Sequence, residues 1–197
     1  MNKNNIKLII QKDKIIKSKK SYNINMNGGI FNITIKDGII KKELKNITEI
    51  KNKNIYNSII KNSSLFTNVI MNIHNDTLIG NFIEPALNVN GSSYSMKYIS
   101  NSICLNNIEE IKKLTIEVKE DIKKQIITIF SILKNNYPNI KGDWLPSNLI
   151  YDKDRNKVLN IDLEGFFSYN ENYYKNRQNG LNIWVIDPEI KILSSLK

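Results

Sequence analysis

The chain has 197 residues, 41% of them hydrophobic, with one cysteine and a formal net charge of +10. That apolar content is enough for one sizeable core or two small lobes sharing a cleft, and it excludes a disordered chain; the single Cys104 excludes a disulfide framework and a cysteine-rich zinc site. Of the 29 basic residues only Arg155 and Arg177 are arginine, the better reader of phosphate and base edges, so the charge does not argue for specific nucleic-acid binding.

The opening MNKNNIKLII has an apolar run too short for a signal-peptide core, and no later segment reaches the length of a membrane span. Together with the lone cysteine this sets the cytoplasm as the expected location. From Ser21 to Leu44 the pattern alternates as strands, and Asp37-Gly38 between FNITIK and IIKKEL predicts a two-residue hairpin turn. Asn46 to Glu49 reads as a capping box before a helix over IKNKNIYNSIIK. Two further strands, IGNFIEPALNV and SSYSMKYI, flank Asn90-Gly91. Asn107 opens the clearest helix, with Ile111, Leu114, Val118, Ile122, Ile126, Ile129 and Leu133 at helical spacing, and Tyr137-Pro138 stops it. NLIYD and KVLNIDL, separated by KDRN, then predict a short hairpin. His74, in NIHND, has neither a second histidine nor clustered cysteines and is read as a turn residue.

Asp143 and Asn148 stand five apart in a loop containing Gly and Pro, and Asp162 ends an apolar strand fourteen residues further on. If the two strands pair as a hairpin, the start of the first and the end of the second share one edge, so Asn148 approaches Asp162. One carboxylate and one amide oxygen suit Mg²⁺, which completes its octahedron with water and phosphate oxygens. Asp143 is then placed to orient or deprotonate an attacking hydroxyl.

The run G-D-W-L-P-S-N-L-I-Y-D followed by N-I-D-L-E-G resembles the catalytic and metal-binding loops of the protein-kinase-like superfamily, most of all the pattern of aminoglycoside and choline kinase relatives. The resemblance extends to element order from about Ser21 to Gly165, and it implies an α+β, bilobal fold. Residues 1–99 would form a β-rich N-lobe of five antiparallel strands with one helix, and residues 100–197 a truncated helical C-lobe. It further implies ATP and Mg²⁺ as cofactors, Asp143 as the catalytic aspartate, Asn148 and Asp162 as metal ligands, and Glu164 as the acidic residue that follows them. Gly28 and Gly29 resemble a shortened glycine-rich loop and equally fit a hairpin turn.

A phosphate-gripping lysine is implied on the third strand, where Lys41 and Lys42 compete. A two-residue turn pairs Ile33 with Lys42 and sets Lys42 on the apolar face of Phe31, Ile33, Ile35, Ile40 and Leu44, where a lysine needs an anion; a three-residue turn would hand the role to Lys41. That face, with Ile33 and Ile40, should cover the adenine. Glu49 is the candidate ion partner on the following helix, although it also closes the capping box. SMKYI resembles a hinge, with Met96 as gatekeeper and the backbone of Lys97 and Ile99 meeting the adenine edge.

Lys141 stands where relatives carry His, Leu145 replaces a Lys or His, and only about thirty residues follow Gly165. The implied enzyme is a minimal kinase acting on a hydroxyl of a small molecule or carbohydrate, with an anionic acceptor suited to the charge and room for a protein partner to complete the short C-lobe. The stretch FFSYNENYYKNRQNG would occupy the activation-segment position. The rival is an atypical protein kinase or a pseudokinase that binds nucleotide as an interaction module.

Overall fold

Asp37 and Gly38 both have positive φ, 50° and 76°, the backbone a type I′ turn demands. The computed structural model describes residues 24–27, 30–50, 53–135, 142–167 and 189–197. Gly28, Gly29, Lys141, the expected Tyr137-Pro138 stop and the activation-segment stretch beyond Phe167 lie outside them. The turn joins β2 (Phe31–Lys36) to β3 (Ile39–Leu44) in the register Lys36 to Ile39, Ile33 to Lys42 and Phe31 to Leu44. With β1 (Ile24–Asn27), β4 (Ala86–Asn90) and β5 (Ser93–Lys97) these strands make one antiparallel sheet in the order β1-β2-β3-β5-β4.

The segment between β3 and β4 differs from the single helix expected. Asn46 makes no side-chain cap; Ile47–Glu49 forms one 3₁₀ turn, and Ile50 then turns extended and buries its side chain. Burial of Ile50 wins over helix continuity, so the helix starts only at α1 (Lys53–Lys61), and α2 (Ser63–Asn72) follows after Asn62 leaves the helical region. The stretch that becomes α2 shows little periodicity because only Phe66 and Ile70 are deeply buried on it.

After β5 a short strand that the sequence pattern misses, β6 (Ser102–Cys104), leads to α3 (Ile108–Lys112) and α4 (Ile116–Asn135). Asn107 caps α3 by accepting the Glu110 amide. The long helix expected from Asn107 is broken because Thr115 supplies a second cap, its hydroxyl accepting the Val118 amide at 3.4 Å. β7 (Leu149–Asp152) and β8 (Lys157–Asn160) pair in the expected hairpin and, with β6, form a second antiparallel sheet in the order β6-β7-β8. α5 (Glu164–Phe167) follows, and a helical segment over 189–195 closes the described chain. The architecture is therefore α+β, with two antiparallel sheets and helices between and after them. Among the described residues no helix is long and apolar enough to cross a membrane.

One continuous core joins the two sheets. Phe66 of α2 is its pivot: its ring stacks on Phe31 of β2 at 6.4 Å and meets Phe167 of α5 edge-on at 5.2 Å. A second tie lies at the β4 entrance, where Glu84 N donates to Asn160 O at 3.1 Å and Ile83 bridges to Asn160. Arg155, in the β7–β8 turn, reaches Glu84 at 2.5 Å and also pairs with Asp152. Because Phe66 touches both halves of the core, Phe66→Ala should lower unfolding free energy by about 3–5 kcal/mol in urea denaturation. An unchanged midpoint would contradict that bridging role.

Candidate active site

The site is assembled from β3 and β5 on one side and from the loop and hairpin around β7 and β8 on the other. Strand alternation puts Lys42 on the face of Phe31, Ile33, Ile35 and Ile40, and the β3–β5 register sets Tyr94 directly opposite it, with Met96 opposite Ile40. The Lys42 side chain is only 9% exposed. An ammonium there requires anions, and it has two: Nζ lies 2.8 Å from Asp162 Oδ1 and 2.9 Å from Glu164 Oε2, with Ile161 O at 3.4 Å. Lys41, by contrast, is exposed and pairs with Glu43.

The hairpin delivers the second half. β7 and β8 align Leu149 with Asn160, and the pairing extends one step, Ile161 N donating to Asn148 O at 3.0 Å. Asn148 and Asp162 therefore emerge side by side, with Asn148 Nδ2 at 3.3 Å from Asp162 Oδ2. Asn148 Nδ2 also points to Asp143 O at a long 3.4 Å, and the fully buried Asn160 donates to the same carbonyl at 2.9 Å while accepting the Asp162 amide at 2.8 Å. Two asparagines thus fix the backbone of Asp143 relative to that of Asp162. The Asp143 carboxylate accepts the Leu145 amide at 3.3 Å.

Two glycines let this loop approach. Gly142 has φ 84°, and a Cβ there would lie 2.4 Å from the Phe166 ring; a Cβ on Gly165 would lie 2.7 Å from Asp143 N. Trp144 is buried and meets Phe166 edge-on at 5.9 Å, anchoring the residue next to Asp143.

The electrostatics follow from burial and charge. Burial alone would lower the Lys42 ammonium, but Glu164, Tyr94 and Asp162 outweigh it and raise it well above the ordinary lysine value. Burial would raise Asp162, yet Lys42 and hydrogen bonding hold it below the usual carboxylate value. Glu164 goes the other way: burial, then the Asp162 charge, push it up to about 7 despite Lys42. Burial and the Glu164 charge raise Tyr94, keeping its hydroxyl protonated as a donor to Glu164.

Lys42, Asp143, Asn148 and Asp162 are thus brought together. Ile33 and Ile40 share the face of Lys42, and Met96, 1% exposed, is part of the core. Ile99 lies apart, packed with Ile150 and Leu159, its carbonyl accepting the Ser102 hydroxyl at 2.7 Å; the Lys97 side chain is exposed. Glu49 is exposed on the 3₁₀ turn, and the contacts of Lys42 run to Asp162 and Glu164 instead. His74 sits in a one-turn 3₁₀ helix, outside this group. Sequence reading missed Tyr94 and Asn160. Tyr94 alternates with Met96 along β5 and so faces Lys42, and Asn160 interrupts the apolar run of β8 at a buried position.

No family model and no curated protein matches the chain. Among solved structures it is similar to WbdD in a crystal structure at 2.2 Å, with 10% identity over 89% of this chain and 45% of that one and a TM-score of 0.45. It is also similar to WbdD in co-crystals with the kinase inhibitor LY294002, with 12% identity over 89% of this chain and 44% of that one and a TM-score of 0.42. The chain spans less than half the length of either. Likeness at this level leaves the chemistry of the site to its own geometry.

Two outcomes follow from the contacts. Glu164 titrates near 7 when folded against an ordinary 4.5, so the folded chain holds the extra proton between those values. The stability this supplies is complete below pH 4.5 and is lost as pH rises through 7; Asp162, shifted downward, acts only in more acid solution. Without added divalent ion, melting temperature should fall from pH 5 to 8 by about a few degrees, and Glu164→Gln should flatten that slope. A slope unchanged by the substitution would reject the assignment. Gly165→Ala, which forces a methyl against Asp143, should cost about 1–3 kcal/mol in denaturant unfolding, with a wild-type midpoint as the contrary result.

Proposed function

We propose that the chain is an ATP- and Mg²⁺-dependent phosphotransferase with a kinase-like, bilobal fold, residues 1–99 forming the sheet-rich lobe and 100–197 belonging to the second. It transfers the terminal phosphate to a hydroxyl of a small molecule or carbohydrate, and its net charge of +10 suits an anionic acceptor. The observation that carries this reading is the meeting of Lys42 from the first sheet with Asn148 and Asp162 from the second, beside the Asp143 loop.

The donor set fits Mg²⁺. Asn148 and Asp162 stand side by side, Asn148 Nδ2 at 3.3 Å from Asp162 Oδ2, so that rotation of the amide would present its oxygen beside the carboxylate, and among the described residues no cluster of three or more His, Cys, Asp or Glu would hold a metal unaided. Two protein ligands with the remainder from phosphate and water is the usual arrangement for this ion. When bound, Mg²⁺ supplies charge neutralisation at the phosphate oxygens.

The residues of the chain do the rest. Lys42 grips phosphate oxygens with its ammonium, and Asp143 orients the acceptor hydroxyl and takes its proton as the oxygen bonds to the terminal phosphorus and ADP leaves. Ile33 and Ile40 cover the base, Met96 borders it, the backbone of Lys97 meets its polar edge, and Gly28 and Gly29 approach the phosphates. A second reading, nucleotide binding without transfer, is favoured by Leu145 in place of a cation; single-turnover transfer from labelled ATP separates the two.

ATP with Mg²⁺ should raise the melting temperature of the wild type and leave Asp162→Ala unmoved. Asp143→Asn should retain the ATP shift and lose about 10²–10⁴-fold in turnover. The reading is overturned if ATP and Mg²⁺ leave the wild type unmoved, or if Asp143→Asn turns over at the wild-type rate.

A further inference from the structure

We infer that Glu164 and Tyr94 are the positioning pair of Lys42, supplying from the DLEG segment and from β5 the anchor that a helix carboxylate would otherwise provide. The inference rests on the proposed phosphate-gripping role of Lys42 and adds two residues to it.

A lysine on an apolar sheet face must be held by an anion whose own position is fixed. The helices between β3 and β4 cannot supply it: between Glu49 and Asp76 the sequence contains no carboxylate, a span that includes α1 and α2 entirely. Glu49 itself is exposed on the 3₁₀ turn. Glu164 Oε2 lies 2.9 Å from Lys42 Nζ, and the Tyr94 hydroxyl donates to that same oxygen. Tyr94 is 2% exposed, pairs with Lys42 in the β3–β5 register, packs edge-on against Phe31 at 5.8 Å, and has Nζ 5.4 Å from its ring centroid. The ring is therefore rigid, and it fixes both the carboxylate oxygen and the ammonium.

The two carboxylates are hydrogen-bonded to one another and differ in their other partners. Asp162 shares its oxygens between Lys42 and the Asn148 amide, on the side of the loop that carries Asp143. Glu164 is tied to Lys42 and to Tyr94, on the side of the sheet. When Asp162 turns to a cation and Lys42 to phosphate, Glu164 remains as the fixed partner of the ammonium.

The test is steady-state turnover of the full chain with ATP at saturating Mg²⁺, for wild type, Tyr94→Phe, Glu164→Gln, Lys42→Met and Lys42→Met/Glu164→Gln. Tyr94→Phe and Glu164→Gln should each raise the KM for ATP about tenfold or more, the loss of one hydrogen bond to a charged group, with the half-saturating Mg²⁺ concentration unmoved. In the Lys42→Met background Glu164→Gln should cost nothing further. A shifted Mg²⁺ requirement with unchanged KM would make Glu164 a metal ligand and overturn the inference, as would losses that simply add. If the wild type neither binds nor turns over ATP, the parent reading fails, and the pairing is then read in the free protein as the acylation rate of the Lys42 amine by acetic anhydride. A rise of about tenfold in Glu164→Gln and Tyr94→Phe supports the pairing, and unchanged rates refute it. Should Lys42→Met not fold, the two conservative variants decide by the same KM and acylation readouts.

Discussion

A single ammonium group, that of Lys42, has been taken out of water on the apolar face of a sheet, and the surrounding structure answers that cost. Three independent elements converge on it: Asp162 from the end of β8, Glu164 from the start of α5, and Tyr94 from the neighbouring strand. Each carboxylate is itself mostly out of solvent, with side chains 22% and 16% exposed, so each gains from the ammonium between them. A buried pair of this kind is a weak source of stability and a strong source of geometry, since removing one partner leaves an uncompensated charge. The register of β2 on β3, set by a two-residue turn, is what brings the lysine to that face rather than its neighbour Lys41.

The opposite side of the site, around the Asp143 loop, is held by amides. The carbonyl of Asp143 collects a hydrogen bond from Asn160 and a longer one from Asn148, and Asn160 also accepts the amide of Asp162. A buried asparagine with both ends satisfied specifies one arrangement, because a shift by one residue in the hairpin would strand its donors and acceptors. The loop before the hairpin and the residue after it are therefore spaced by β7 and β8 rather than by direct contact between carboxylates. Charge on one side and amides on the other leave Asp162 as the junction of the two networks.

How far this was legible depends on the range of the interaction involved. The hairpin at Asp37-Gly38, its consequence for Lys42, and the approach of Asn148 to Asp162 all follow from local turn chemistry and strand alternation, and each is present in the structure. The helix breaks were not legible: burial of Ile50 in extended backbone is a tertiary effect, and Thr115 as a second cap is hidden within an apolar run of helical period. The partner of Lys42 stayed open because the sequence offers only Glu49 nearby, whereas Glu164 reaches it over a separation of 122 residues that no periodicity reports. Tyr94 and Asn160 were present in the patterns, one as an alternating aromatic and one as a polar residue inside an apolar strand, but neither pattern says what it touches.

The Arg155 turn sets a limit on how the molecule can move. Lys42 links the sheets through its side chain, whereas Glu84 is joined to Asn160 through the backbone and carries the Arg155 pair besides. Loss of that link would leave both this edge and the Phe66 core joining the two sheets, so the halves stay together without it. One of the chain's two arginines thus fastens the β7–β8 turn to the entrance of β4, a junction that owes nothing to the charge on Lys42.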